Sequence, residues 1–267
     1  MLLRFPKALW RQRELWWRLG ERDVLGRYRG SLLGLAWSFL QPMAMLAVYT
    51  FVFSQVFQAR WGNQADGGPL GFAINLFAGL IVFNLFAECM NRAPRLILEH
   101  PNYVKKVIFP LEILGAVVVG SACFHALCSL AVLMAFQLIG SQHLPATYLW
   151  LPLVWLPLIL CCLALTWLLA ALGVFLRDIG QVIGVVVSML LFLSPVFFPL
   201  SGLSPPLQRL IGLNPLAQVI EQTRTVTVQG GPPSPAYLLG GLLLGVLASE
   251  VCFRGFERAK RAFADVM

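Results

Sequence analysis

Six apolar runs, each close to the length of a bilayer crossing, leave this 267-residue chain almost no other way to fold. A transmembrane helix needs about 20 mostly apolar residues. The runs cover residues 32–57, 72–88, 111–139, 148–175, 182–200 and 237–253. Only 12% of the residues are charged and 58% are hydrophobic, where a soluble domain carries about 25% charge. The mean hydropathy of +0.77 points the same way. The pattern predicts an all-α integral membrane protein with six transmembrane helices. The second run is short before its first charge and is expected to continue as helix beyond the bilayer. Pro152 and Pro157 predict a bend in the fourth, where neighbouring helices can satisfy the freed carbonyls.

The basic residues are sorted by side. Seventeen of the 20 Lys and Arg lie before the first run, between the second and third, between the fourth and fifth, or after the sixth. The opposite side holds only Arg60, Arg209 and Arg224. The positive-inside rule then puts both termini in the cytoplasm of a multi-pass protein. The net charge of +8 is accounted for by this sorting and implies no nucleic-acid partner. Residues 1–31 carry charge where a signal peptide would be apolar. Wound as a helix, they place Arg11, Glu14, Arg18, Glu21 and Arg22 on one face and Trp16, Trp17, Leu19 and Val24 largely on the other. That is an amphipathic interface helix with tryptophans at headgroup depth.

Between the fifth and sixth runs, residues 201–235 are too apolar for a loop and too interrupted to span. Ser204-Pro205 and Asn214-Pro215 each read as an N-cap followed by a first-turn proline. Two short re-entrant helices are expected, over residues 205–213 and 215–228, closed by "GGPP". The six cysteines have no metal-ligand spacing and read as small packing residues. There is no GxxxxGK[ST], HExxH or G-x-S-x-G. His125, alone in the third run, reads as a packing or hydrogen-bonding residue. Spans so poor in ionisable groups argue against an ion-driven carrier and against a membrane enzyme. No metal or cofactor is expected in this chain, and energy has to come from a cytoplasmic partner.

One short stretch shows where that partner would act. "NYVKKVIFPLEIL" joins the second and third runs on the predicted cytoplasmic side. The lysines alone follow from positive-inside, but Tyr103, Val107, Ile108 and Phe109 are too apolar for a free loop, and Pro110 stops the segment. "KKVIFPLEIL" resembles the "KKVxFPxExLP" stretch of ABC-2 type permeases that export bacterial polysaccharides: O-antigen, capsule and teichoic-acid exporters. "RDVLGRYRGSLLGLAWSFLQPMAMLAVYTFVFSQVF", "GVFLRDIGQVIGVVVSMLLFLSPVFFPLSGL" and "NPLAQVIEQTR" follow in family order. The resemblance covers nearly the whole chain. Gly115 departs from it, standing where the family often has proline, and is expected to alter local geometry only.

The resemblance implies a half-transporter in a bacterial inner membrane. It would pair with a second copy of itself and with two copies of a cytoplasmic ABC ATPase, which holds ATP and Mg. The substrate would be a lipid-linked glycan, threaded outward through the dimer. The chain is then one permease domain over residues 1–267: interface helix 1–31, transmembrane region 32–256 and cytoplasmic tail 257–267. Tyr103, Lys105, Lys106, Val107, Phe109 and Pro110 are the expected ATPase-coupling residues.

A glycan path needs flat, weakly sticky walls of aromatic rings and amides. Trp37, Gln41, Phe51 and Gln55 follow helical spacing on one face of the first run, with Tyr49 adjacent; Ser188 and Phe192 share a face of the fifth. These residues either line the pore or bond to neighbouring helices. Asn84, Glu88, Asn91 and Arg95 form a polar seam on the second run or meet the incoming head group. Arg27 and Arg29 either attract a pyrophosphate or anchor to anionic lipid. Arg177 and Asp178 form a cytoplasmic turn suited to capping the helices beside it. Pro205, Asn214, Pro215, Glu221 and Arg224 belong to the expected outer gate, with Glu221 and Arg224 spaced to pair with each other. Two further classes fit the fold: an ABC-2 permease for a small hydrophobic drug or lipid, and an assembly protein that binds a glycosyltransferase without transporting.

Overall fold

The computed structural model describes residues 4–53, 61, 68–104, 109–141 and 144–266. These residues are helical throughout, with short connections. In chain order the helices are α1 (Phe5–Arg11), α2 (Arg13–Arg27), α3 (Trp37–Phe51), α4 (Gly68–Arg92), α5 (Pro101–Val104), α6 (Glu112–Ser141), α7 (Leu151–Phe175), α8 (Ile179–Leu193), α9 (Pro205–Gly212), α10 (Pro215–Arg224), α11 (Pro235–Ala259) and α12 (Phe263–Val266).

Among the described residues, four helical stretches are long and apolar enough to cross a membrane: Leu70–Arg95, Glu112–Gly140, Ala146–Phe175 and Pro235–Ala262. They correspond to the second, third, fourth and sixth apolar runs. The second continues past Glu88 to Arg92 as expected. α3 and α8 have 15 residues each. At 1.5 Å per residue that is about 22 Å, short of the ~30 Å hydrocarbon core. Ser194 ends α8 in an extended conformation, and residues 54–57 of the first run lie outside the described residues.

α4 is the central helix, with 78% of its apolar window buried within the protein, against 22% for α11. α11 lies along α7 through a small-residue groove. A Cβ on Gly241 would stand 3.0 Å from Pro157 Cβ, and one on Gly245 2.9 Å from Leu160 Cβ. Backbones approach this closely only where a helix carries small residues four apart. Tyr237 then donates to the Val154 carbonyl (2.8 Å) and Ser249 to that of Leu160 (2.8 Å). α7 runs helical through Pro157. At its other end Gly173 lies directly on the Pro94 carbonyl, where any Cβ would collide. Pro94 itself sits in a tight 3₁₀ turn, Ala93–Arg95, that ends α4.

Gly115 has a partner that explains it. Trp167 of α7, fully buried, donates its indole N–H to the Glu112 carbonyl at 2.9 Å. A Cβ on Gly115 would stand 2.9 Å from that same indole nitrogen. The glycine makes room for the ring. Trp167 also meets Phe5 and Phe253 edge-on, at 6.1 and 5.0 Å. The chain ends therefore converge on one end of the bundle. Glu250 of α11 accepts hydrogen bonds from the backbone N–H groups of Arg4 (2.9 Å) and Phe5 (3.3 Å). It caps α1 from a distant part of the chain, satisfying donors that a helix start leaves free. Lys260 bonds Glu112 at 2.8 Å beside it.

Candidate functional site

α4 carries a polar site at each end. At its C-terminal end, Glu88 and Arg92 meet α2 and α6. Arg92 pairs with Asp23 at 2.7 Å, and Ser121 donates to the other oxygen of Asp23. Arg27 pairs with Glu88 at 2.9 Å. His125 Nδ1 lies 2.8 Å from Arg27 Nη1 and 3.0 Å from Glu88 Oε2. Burial disfavours charge on Asp23, but the hydrogen bonds from Arg92 and Ser121 and the nearby Arg92 and Arg27 charges outweigh it, holding the carboxyl below its ordinary value. The apolar side of α2 docks through Trp16, whose indole N–H donates to the Ala116 carbonyl at 2.9 Å beside Gly120. Trp17, expected on the same side, is exposed. An open cleft of about 380 Å³ borders the charges, lined by Arg22, Asp23, Gly26, Arg27, Arg92 and His125.

The expected coupling stretch adjoins this cluster. Tyr103 on α5 stacks between His100 (5.4 Å, 10°) and Phe109 (4.2 Å, 9°). Phe109 and Pro110 are half-buried. Lys105, Lys106 and Val107 lie outside the described residues. Arg22 of α2 donates to the Tyr103 hydroxyl at 2.7 Å. Arg27, expected at a head group or a lipid, is engaged by Glu88 and His125, while Arg29 is exposed. In the polar seam of α4 the residues that pair are Glu88 and Arg92; Asn84, Asn91 and Arg95 are exposed.

At the N-terminal end of α4 the second site forms around Arg224. Its side chain is 1% exposed. Nε donates to the Asn75 carbonyl (3.0 Å), Nη2 to that of Val196 (2.9 Å) and Nη1 to Glu221 (2.8 Å). The guanidinium lies over the Trp61 ring at 4.4 Å. Gly79 provides the notch, since a Cβ there would stand 2.8 Å from Nη2. The pairing with Glu221 was expected from spacing; the two carbonyls and Trp61 were not. Asn214 caps α10 by accepting from Leu216 N–H (3.0 Å) and donates to Ser194 (3.0 Å). Pro205 and Pro215 each open a helix, though Ser204 makes no side-chain cap. α10 continues as a wider turn, Thr225–Gln229, closed by Gly230 at φ 70°. A left-handed residue without Cβ strain is what such a closure needs.

Trp37, Gln41 and Phe51 are exposed on α3, and Tyr49 is half-buried, 6.5 Å from Phe53. Gln55 lies outside the described residues. Ser188 and Phe192 are exposed on α8, and the Ser188 hydroxyl donates back to the Gly184 carbonyl at 2.9 Å. Phe192 meets Phe197 (5.9 Å), which meets Phe53 (6.4 Å), which meets Phe72 (5.0 Å). The two expected aromatic faces thus join at the Arg224 end of the bundle, and Trp37 is not part of that ladder. Asp178 opens α8 by position and makes no side-chain cap. The residues that sequence reasoning passed over are Asp23, Arg92, Ser121, Asn75, Trp61 and Glu250. Glu250, in the sixth apolar run, carried a signal in being a carboxylate there.

A bundle of apolar helices with a charged helix bonded across one end is the frame of a multi-pass membrane protein. The chain belongs to the ABC-2 type transporter family, whose sequence model matches residues 14–227. It is 26% identical to the O-antigen export system permease protein RfbA of Myxococcus xanthus, over 99% of both chains. It is 21% identical to the protein of that name from Klebsiella pneumoniae, over 92% of both chains. It is 24% identical to the polysialic acid transport protein KpsM of Escherichia coli, over 85% of this chain and 84% of that one.

Proposed function

We propose that this chain is the membrane permease of an ATP-driven exporter that moves a lipid-linked polysaccharide, of O-antigen type, across a bacterial inner membrane. The observation that carries the reading is end-to-end similarity to a permease of O-antigen export, over 99% of each chain. A similarity that leaves no segment over fits a shared task better than a shared scaffold alone.

The permease works with a separate ABC ATPase, as membership of the family implies, and pairs with a second copy of itself. Its chain crosses the membrane six times. The order of contacts supports this: α8 begins at Pro94 and Arg95, at one end of α4, and closes on Arg224, through Val196, at the other. α3 likewise ends at Phe72 through Phe53. α9 and α10 act as re-entrant outer-gate helices, with Pro205, Asn214, Pro215, Glu221 and Arg224 setting their starts and anchor. Both termini are cytoplasmic. Residues 103–110 take the ATPase, and α2 passes its movement on. The glycan runs along Trp37, Gln41, Tyr49, Phe51, Gln55, Ser188 and Phe192, with Arg27 and Arg29 at the entrance.

The test is deletion of the gene, with surface polysaccharide and cytoplasmic-side lipid-linked polymer measured together. Loss outside with accumulation inside is expected. Normal surface glycan with altered drug or lipid efflux would overturn the substrate class.

A further inference from the structure

Two aromatic rings flank residues 105–108 in the sequence. Tyr103 precedes them, Phe109 follows, and the rings stack at 4.2 Å and 9°. His100 extends the stack by one ring at 5.4 Å. Its Nδ1 lies 2.8 Å from the Leu96 carbonyl, an acceptor only, so Nδ1 carries the proton and fixes the ring. His100, Tyr103 and Phe109 therefore form a three-ring clip, anchored beside the turn that ends α4.

The middle ring is bonded to α2: Arg22 donates to the Tyr103 hydroxyl at 2.7 Å. Beneath it lies a cavity of about 60 Å³ bordered by Leu19, Asp23, Arg92, Leu96 and Val118. The clip and α2 are thus not packed solidly together here; the bond bridges a gap. On the same helix Asp23, the next residue, and Arg27, five residues on, are bonded to Arg92 and Glu88. A push on the clip reaches α4 by two routes. One runs along the backbone through the Ala93–Arg95 turn. The other runs through Arg22 into α2 and across its ion pairs.

We propose that Arg22 is a positioning residue for coupling: it makes α2 and the ring clip of His100, Tyr103 and Phe109 move as one, so that ATPase closure displaces α2 together with the clip. The proposal rests on the export reading above. It adds which bond joins the two coupling elements.

The test uses the full permease with its ATPase subunit, in membranes, and reads three quantities: co-purification of the ATPase, its ATP turnover, and glycan export. In Arg22→Ala the ATPase still co-purifies and still turns over ATP. Export per ATP falls about fivefold, the scale of one solvent-exposed hydrogen bond. Tyr103→Phe keeps the ring stack, removes the hydroxyl and lowers export per ATP by the same factor. The double variant is no worse than either single one, because both remove one bond. Arg22→Lys recovers part of the loss. Wild-type export per ATP in Arg22→Ala, or losses that multiply in the double variant, would overturn the proposal. Failure of the wild-type permease to bind an ATPase or export glycan would instead overturn the reading on which it rests.

Discussion

The two ends of α4 solve opposite problems with arginine. At the Arg224 end one cation is buried, with backbone carbonyls and a single carboxylate as partners. At the α2 end Arg27 and Arg92 share Asp23, Glu88 and His125, and their side chains are 46% and 32% exposed. A buried charge stripped of a partner has nowhere to turn, whereas a half-solvated one has water and neighbours. The first end is thus built to hold one arrangement and the second to exchange partners at low cost. That division fits the proposed gate at one end and the proposed coupling helix at the other.

The largest effect should come from Arg224→Leu, which leaves the Asn75 and Val196 carbonyls without their donor. A loss of about 3 kcal/mol is expected, read as a fall in thermal midpoint of the purified protein. Arg224→Lys should not restore it, since an ammonium cannot reach three acceptors with the geometry of a guanidinium. Gly79→Ala attacks the same end by crowding Nη2 and should cost about 2 kcal/mol. At the other end Glu88→Gln should cost about 1 kcal/mol, because Arg92 keeps Asp23. If Glu88→Gln proved as harmful as Arg224→Leu, the contrast between the ends would fail.

Asp23→Asn should have the smallest effect, up to about 1 kcal/mol at neutral pH. Its pH course has a sign. The folded carboxyl titrates below its ordinary value, so its contribution is complete above that value and is lost as pH falls through the lower, folded one. The gap in thermal midpoint between wild type and Asp23→Asn should stay level from neutral pH down to the ordinary carboxylate range and then close. A gap that closed already near neutral pH would mean that Asp23 is not held as described.

What could be read from the residues divides along the same line. Hydropathy located α4, α6, α7 and α11, and the Ser-Pro and Asn-Pro pairs located the starts of α9 and α10, because these signals are local. The partners of Arg224 could not be read. They are carbonyl oxygens 149 and 28 residues away, and a carbonyl is present at every position. Arg92 was passed over for Arg95 because helical spacing gives a face but not the register of the α2 helix across it. Trp16 and Trp17 looked alike in sequence. Only Gly120 and the Ala116 carbonyl decide which of the two is docked.

The bond between Glu250 and the start of α1 also sets a clock. Arg4 and Glu250 are 246 residues apart, so α1 leaves the ribosome long before its cap exists. At about 5–20 residues per second, that wait is roughly 10–50 s. During it the start of α1 lacks the Glu250 carboxylate that accepts from its N–H groups, and Trp167, the ring that Phe5 meets, lacks Phe253. Arrival of α11 ends the wait. A half-made permease is thereby distinguishable at its N-terminus from a finished one, and a protease that samples that end would remove chains stalled before Glu250 while sparing those that passed it.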